Sequence, residues 1–237
     1  MLPFHISPKL LKHFKGFCSS PEIIMLFVYM KCRFSMSYRD LEELASIRGA
    51  VIDHATLHRW VIRFVQLIDR QVRKRKKPVG NSWRMDETYI KLNGVWVYLY
   101  RAVDSLGNTI EFLLRKHRDA AAAKAFFRKA FRSSGSPEKV NIDKSGSNLC
   151  ALNSANQDLP KDLQIIIRQV KFLNNIVEQD HRFIKKRTRP MLGFKSFYCA
   201  KMTIAGIENI RMIQKGQIIG ANDNANTFEN FKMLMAS

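Results

Sequence analysis

The sequence predicts an α/β architecture, a mixed five-stranded sheet with flanking helices, preceded by a small all-α domain. Three observations carry this. Apolar residues recur at helical spacing through the first 72 residues. The period then changes to short β-rich runs after a basic segment closed by Pro78 and Gly80. Finally, a helical stretch separates the third strand from a fourth that ends on Asp143.

In the first region, residues 1–72, the helical signals are Ile24, Phe27 and Val28, then Leu41, Leu44 and Ala45, then Leu57, Val61, Phe64 and Val65. Ser37 to about Ile47, a turn near Arg48-Gly49, and His54 to Val65 opened by Asp53 or His54 have helix-turn-helix spacing. The last of these is the candidate recognition helix. It offers Thr56, His58, Arg59 and Arg63 to base edges or phosphates, while Leu57, Trp60, Val61 and Phe64 pack inward. A small helical bundle for dimerisation is the competing reading. Residues 73–80, with Arg73, Lys74 and Arg75 in a basic run, read as a linker, either solvated or lying along phosphates.

The α/β domain is expected over residues 81–215. Asp86 to Leu92 and Val95 to Val103 flank Asn93-Gly94, a hairpin signal, and Thr109 to Leu114 supplies a third strand. Ala120 to Arg132 is a helix, Lys139 to Ile142 a buried strand running into Asp143, and Leu163 to Arg168 a fifth strand. Asn174 or Asn175 caps a helix through Glu178 to about Lys186. The Asn-rich residues 216–237 read as a poorly ordered tail.

Forty Lys and Arg against 20 Asp and Glu give a formal charge of +20, which points to a polyanionic partner. The sequence has no 18-residue uncharged apolar run and no signal-peptide pattern, so nucleic acid is favoured over a membrane, and an intracellular place is expected. Cys18, Cys32, Cys150 and Cys199 have neither zinc-ligand nor disulfide-framework spacing.

Three acids on these elements invite a metal reading. Asp86 inside an apolar strand is costly unless paired or metal-bound, and carboxylates brought together repel unless cations neutralise them. Asp143 at a strand end has turn capping as its alternative, and for Glu178 the residues by themselves favour an exposed i,i+4 pair with Arg182 over a site role. Alternation puts Glu87 on the strand face opposite Asp86, and Asp180 lies about 200° round the helix from Glu178. Neither is therefore expected in the site. His181 reads as DNA-facing or structural, because hard cations favour oxygen.

This order of strands and acids resembles the RNase H-like fold. The resemblance becomes specific at Trp83 to Lys91 (WRMDETYIK), Trp96 to Asp104 (WVYLYRAVD) and Leu173 to Arg182 (LNNIVEQDHR), with 34 residues between Asp143 and Glu178. Those motifs, with Gly193 to Ser196 and Ile204 to Glu208 (IAGIE), are similar to the bacterial insertion sequence six family of DDE transposases, whose elements form cointegrates. The resemblance implies that Asp86, Asp143 and Glu178 are catalytic and bind two Mg²⁺ ions, with Mn²⁺ as a substitute. Lys185, seven positions after the Glu, falls on the family's basic residue. It shares a helix face with Glu178 and Arg182, where Lys185 and Arg182 can contact DNA phosphate. Departures are Lys-Ser-Gly-Ser-Asn after Asp143, where an aromatic is frequent, and Phe172 in place of Tyr.

The family further implies cleavage and strand transfer at terminal inverted repeats, double-stranded DNA as both repeat and target, and at least a homodimer on DNA. It also implies a bacterial cytoplasmic, nucleoid-associated place and no membrane. Two readings of other classes use the same residues: a non-catalytic DNA-binding regulator derived from a transposase, and an RNase H-like nuclease that cuts without joining.

Overall fold

The structure is a computed structural model that describes residues 4–157, 159–191 and 193–236. Its N-terminal helices begin where side chains can satisfy free backbone N–H groups. After α1 (Pro8–Leu11), α2 (Pro21–Arg33) starts behind Ser20, whose hydroxyl accepts from the Ile23 N–H. Helix α3 (Tyr38–Ile47) opens with a reciprocal capping box between Ser37 and Asp40. Helix α4 (His54–Arg75) is capped by Asp53, which accepts from Ala55 and Thr56.

Helix α4 runs ten residues beyond Val65. No Gly or Pro interrupts it before Pro78, and its buried stripe continues through Leu67, Ile68 and Val72. Arg73, Lys74 and Arg75 are therefore its last turn, where cations oppose the negative helix end, and are no part of a linker. This corrects the 73–80 boundary.

The sheet follows. Strand β1 (Ser82–Leu92) turns through Asn93 and Gly94, at φ 47° and 80°, into antiparallel β2 (Val95–Val103). Both turn residues occupy the left-handed region that a two-residue hairpin of this twist requires. Strand β3 (Thr109–Arg115) pairs antiparallel with β2, and helix α5 (Ala120–Ser134) then crosses to β4 (Lys139–Asn141), parallel to β1. Helix α6 (Gly146–Gln157) leads to β5 (Ile166–Arg168), parallel to β4, and α7 (Asn175–Thr188) follows. The order β3-β2-β1-β4-β5 is the mixed five-stranded sheet of the predicted RNase H-like architecture.

One face of the sheet carries the main core: Trp83, Met85, Tyr100 and Ala102 pack with Phe126 and Phe127 of α5 and Leu152 of α6. Helix α6 has no counterpart in the sequence reading. Its polar composition and weak amphipathic pattern, Gly-Ser-Asn-Leu-Cys-Ala-Leu-Asn-Ser-Ala-Asn-Gln, look like a loop until tertiary packing buries Asn148, Ala151 and Leu152.

Two further helices close the chain, α8 (Phe197–Gln214) and α9 (Thr227–Met235). Helix α8 is apolar on most sides and packs on α2 and α4, with Gly206 at the crossing. A Cβ there would collide with the Cys32 Sγ and lie 2.8 Å from a Val65 methyl. The tail expected to be poorly ordered is instead built into this helical unit. Lys77 donates to the Gln217 carbonyl at 2.8 Å, Ile219 to that of Arg75 at 2.8 Å, and Phe231, Leu234 and Met235 are fully buried. Short-range composition hid this because the Asn residues serve as caps and turns: Asn226 caps α9, and Asn222 and Asn230 bond each other.

The chain thus divides into two compact units, residues 1–77 with 187–237, and residues 78–186. The sequence reading placed 187–215 with the sheet, whereas α8 finds its apolar partners among the N-terminal helices. Among the described residues no helix is long and apolar enough to cross a membrane.

Candidate active site

The site begins at an interruption in the sheet. Strand β4 pairs with β1 only through Ser82–Arg84, so Asp86 and Glu87 lie just past the end of that ladder. Asp143 arrives at the same place, two residues beyond the last residue of β4. One carboxylate oxygen each from Asp86, Glu87 and Asp143 lies within 4.8 Å of the others. Glu87 was expected to face away, and in the antiparallel register it does share a face with Tyr100, while Asp86 pairs with Arg101. The open edge of β1 nevertheless lets both carboxylates converge on Asp143.

Burial pushes the Asp86 pKa up to about 7, with the charges of Glu87, Asp143 and Glu178 adding to it against one opposing backbone N–H. Glu87 is likewise raised by burial, partly offset by Arg118 and Asn148. The Arg118 guanidinium bonds Asp143 at 2.8 Å and Glu87 at 3.3 Å. The Asn148 amide, fully buried on α6, donates to the same two carboxylates at 3.2 and 3.1 Å. Although burial acts to lower the Arg118 pKa, Glu87 and Asp143 hold it above its ordinary value. Among the described residues, Asp86 is the member of the trio without such a cation. The His181 ring stands beside it, Nδ1 3.7 Å away, and its pKa falls to about 2 through burial and the charges of Arg101 and Lys185. His181 is therefore neutral and buried, a structural neighbour of Asp86 rather than a DNA-facing group.

Helix α7 is set by a buried ion pair. Arg101, fully buried on β2, donates to Asp180 at 2.6 Å, which joins the Trp96–Asp104 motif to the Leu173–Arg182 motif. Below it, Asn174 donates to the Met85 carbonyl at 3.5 Å and accepts from Asn141 at 2.7 Å. With Asp180 turned to the sheet, Glu178 in the first turn and Arg182 are exposed and Lys185 is half-buried. Glu178 stands outside the 4.8 Å trio but near enough to raise the Asp86 pKa. An all-oxygen donor set of this kind suits a hard divalent cation.

In the helical unit, Thr56 is partly committed to the α4 cap. Its hydroxyl donates to Asp53 at 2.7 Å and accepts from Arg59 at 2.7 Å. His58 stands edge-on to Tyr38 with ring centroids 5.3 Å apart, and burial lowers its pKa. Arg63 is exposed, and Arg73 bonds Asp69 at 3.0 Å.

Sequence reasoning missed Arg118 and Asn148, which lie in no motif, and set Glu87 aside on alternation alone. The available signal was the Asp86-Glu87 pair itself, since two adjacent acids within an apolar strand require two separate compensations.

A family model described as a DDE domain, of the IS240 transposase type, matches residues 80–217. The transposase for insertion sequence-like element IS431mec of Staphylococcus aureus strain N315 is 38% identical over 197 residues, 82% of this chain and 85% of that protein. The transposase for insertion sequence element IS257 in transposon Tn4003 of Staphylococcus aureus matches to the same extent. Among solved structures, the HTLV-2 integrase catalytic core domain in complex with magnesium (trimeric form) covers 68% of this chain and all of its own length. It does so at 16% identity and a TM-score of 0.44.

Proposed function

From the premise that this chain belongs to the insertion sequence six family of DDE transposases, we propose that Asp86, Asp143 and Glu178 hold the divalent cations of a DNA-cleaving and strand-joining site. The observation that carries the assignment is the convergence of the like-charged, partly buried carboxylates of Asp86, Glu87 and Asp143 at the open end of β1, with the Asp86 pKa raised to about 7. Such an arrangement is unfavourable by itself and favourable around a cation. Two Mg²⁺ ions, or Mn²⁺ in their place, would supply Lewis-acid stabilisation of the attacking and leaving oxygens of phosphoryl transfer.

The chain's own residues do the rest. Asp86 presents oxygens from β1 and Asp143 from just beyond the neighbouring β4, while Asp180, held by Arg101, orients the helix that carries Glu178. Lys185 and Arg182, on the Glu178 side of α7, bind phosphate and hold the scissile strand in register. No covalent enzyme intermediate is needed, and none of the residues in the site is an activated nucleophile. The reaction we assign is hydrolysis that exposes 3′-hydroxyl ends, then attack of those ends on target DNA.

Recognition of the terminal inverted repeats falls to the helix-turn-helix of α3 and α4, through Thr56, His58 and Arg59, with Arg63, Arg73, Lys74 and Arg75 on phosphates. Two ends joined in one reaction require at least a homodimer on DNA, working on the bacterial chromosome in the cytoplasm. Mg²⁺-dependent cleavage and strand transfer on a duplex carrying the repeat tests the reading. Asp86→Ala, Asp143→Ala and Glu178→Ala each lower both activities by more than about 100-fold, beyond what loss of an outer-shell partner costs. A repeat that is bound but neither cut nor joined under any divalent metal would leave a DNA-binding regulator; cutting without joining would leave a nuclease.

A further inference from the structure

The exposed face of α4 continues well past its recognition turn. Arg59, Arg63, Gln66 and Arg70 recur at i, i+4, i+7 and i+11, one stripe about 16 Å long. In the middle of the helix this stripe is the floor of a groove of about 490 Å³, walled by His13 on one side and Tyr198 and Cys199 of α8 on the other. The stripe is ordered at several points: Gln66 donates to the Tyr198 hydroxyl at 2.8 Å, and the Arg63 guanidinium stands 5.9 Å from the Phe17 ring centroid. Arg70 has no side-chain partner among the described residues, and Asp69, the neighbouring acid, is engaged by Arg73 and Asn209.

Those walls decide what the groove can take. A helix with its side chains is about 10–12 Å across and already fills a major groove about 12 Å wide, so α4 flanked on both sides has no room to enter one over this stretch. A cation-floored groove instead receives a ridge, and the anionic ridge of duplex DNA is the sugar–phosphate backbone. Resting on the reading that α3 and α4 bind DNA, we propose that Arg63 and Arg70, between His13 and Tyr198, form a track for a duplex phosphate backbone. The first turn of α4 is left to read bases. The track sets affinity and register and contributes nothing to sequence preference.

Equilibrium binding of the full chain to a repeat duplex, a scrambled duplex and a single strand, each over a range of salt, tests this. Arg63→Ala/Arg70→Ala should weaken binding to both duplexes by the same factor and make the slope of log K against log salt shallower by about 2, roughly 0.9 per phosphate contact. Arg70→Lys on the same background should return about half of that slope, and the melting temperature should stay at the wild-type value. An unchanged slope overturns the track, as does loss of repeat preference with unchanged affinity for the scrambled duplex. Weakening confined to the single strand overturns it as well, and assigns the groove to unpaired DNA. If wild type itself shows no salt-dependent duplex binding, it is the DNA-binding reading of the helices that fails, before the groove is in question.

Discussion

Two aspartates of the sheet unit, Asp86 on β1 and Asp104 just past β2, meet opposite environments although both are withdrawn from water. Asp104, 1% exposed, accepts from the N–H groups of Gly80, Leu106 and Asn108 and from the Asn108 amide. Burial acts to raise its pKa, but these donors hold it below the ordinary carboxylate range. Burial raises the Asp86 pKa as well, and with one backbone donor to oppose it and three acidic neighbours adding to it, the pKa reaches about 7. Asp86 keeps 21% of its side-chain surface and Asp104 is the more deeply buried, so exposure does not explain the opposite shifts; the supply of donors does. Asp104 is a finished joint that closes the β2–β3 turn, whereas Asp86 is left short of positive charge, which is the condition a cation site requires.

The sharpest way to break this contrast is through Arg101, which pairs with Asp86 in the strand register yet bonds Asp180. Asp180→Ala leaves a buried guanidinium without its carboxylate and is expected to cost about 3–5 kcal/mol in denaturant unfolding. Asp180→Asn, which keeps the shape, should free part of the guanidinium for Asp86 and lower the Asp86 pKa; an unchanged Asp86 titration by NMR would contradict that link.

Next in size, Asp104→Ala strands several N–H groups and is expected to cost about 3 kcal/mol, whereas Asp86→Asn removes repulsion and leaves stability unchanged or slightly raised. The pH dependence separates the two sites further. The Asp86 pKa is raised on folding, from the ordinary 3.8 to about 7. In metal-free protein its contribution is therefore fully favourable below about pH 4 and is lost as pH rises through about 7. The depressed Asp104 contributes stability above its ordinary pKa and loses it as pH falls through the folded value. Unfolding measured from pH 4 to 8 should show the first slope vanish in Asp86→Asn. At neutral pH and below, metal binding should also release a proton from wild type.

The smallest effect concerns Arg118, which supplies Glu87 and Asp143 with the cation that Asp86 lacks. Its side chain is one-third exposed, so Arg118→Ala should cost only about 1 kcal/mol in metal-free protein. Because the guanidinium holds oxygens that a cation would use, the Mg²⁺-induced rise in melting temperature should be larger in the variant than in wild type. A smaller rise would make Arg118 an aid to metal binding.

Read from consecutive residues alone, the chain disclosed its helices α2 to α4, the Asn93-Gly94 hairpin, the three antiparallel strands and the placing of Asp86 on a strand, Asp143 just past one and Glu178 on a helix. It disclosed the charge that calls for a polyanion as well. Caps, turn chemistry and periodicity are interactions within a few positions, so they can be written locally. The tertiary structure alone decided the rest. It brought Glu87 round the open edge of β1 to Asp143, spent Arg101 on Asp180, delivered Arg118 and Asn148 to the carboxylates, and turned the Asn-rich tail into a helix buried with the N-terminal unit. Each of these joins residues far apart in the chain, where no local pattern records which charge will find which partner or how much water will be left around it.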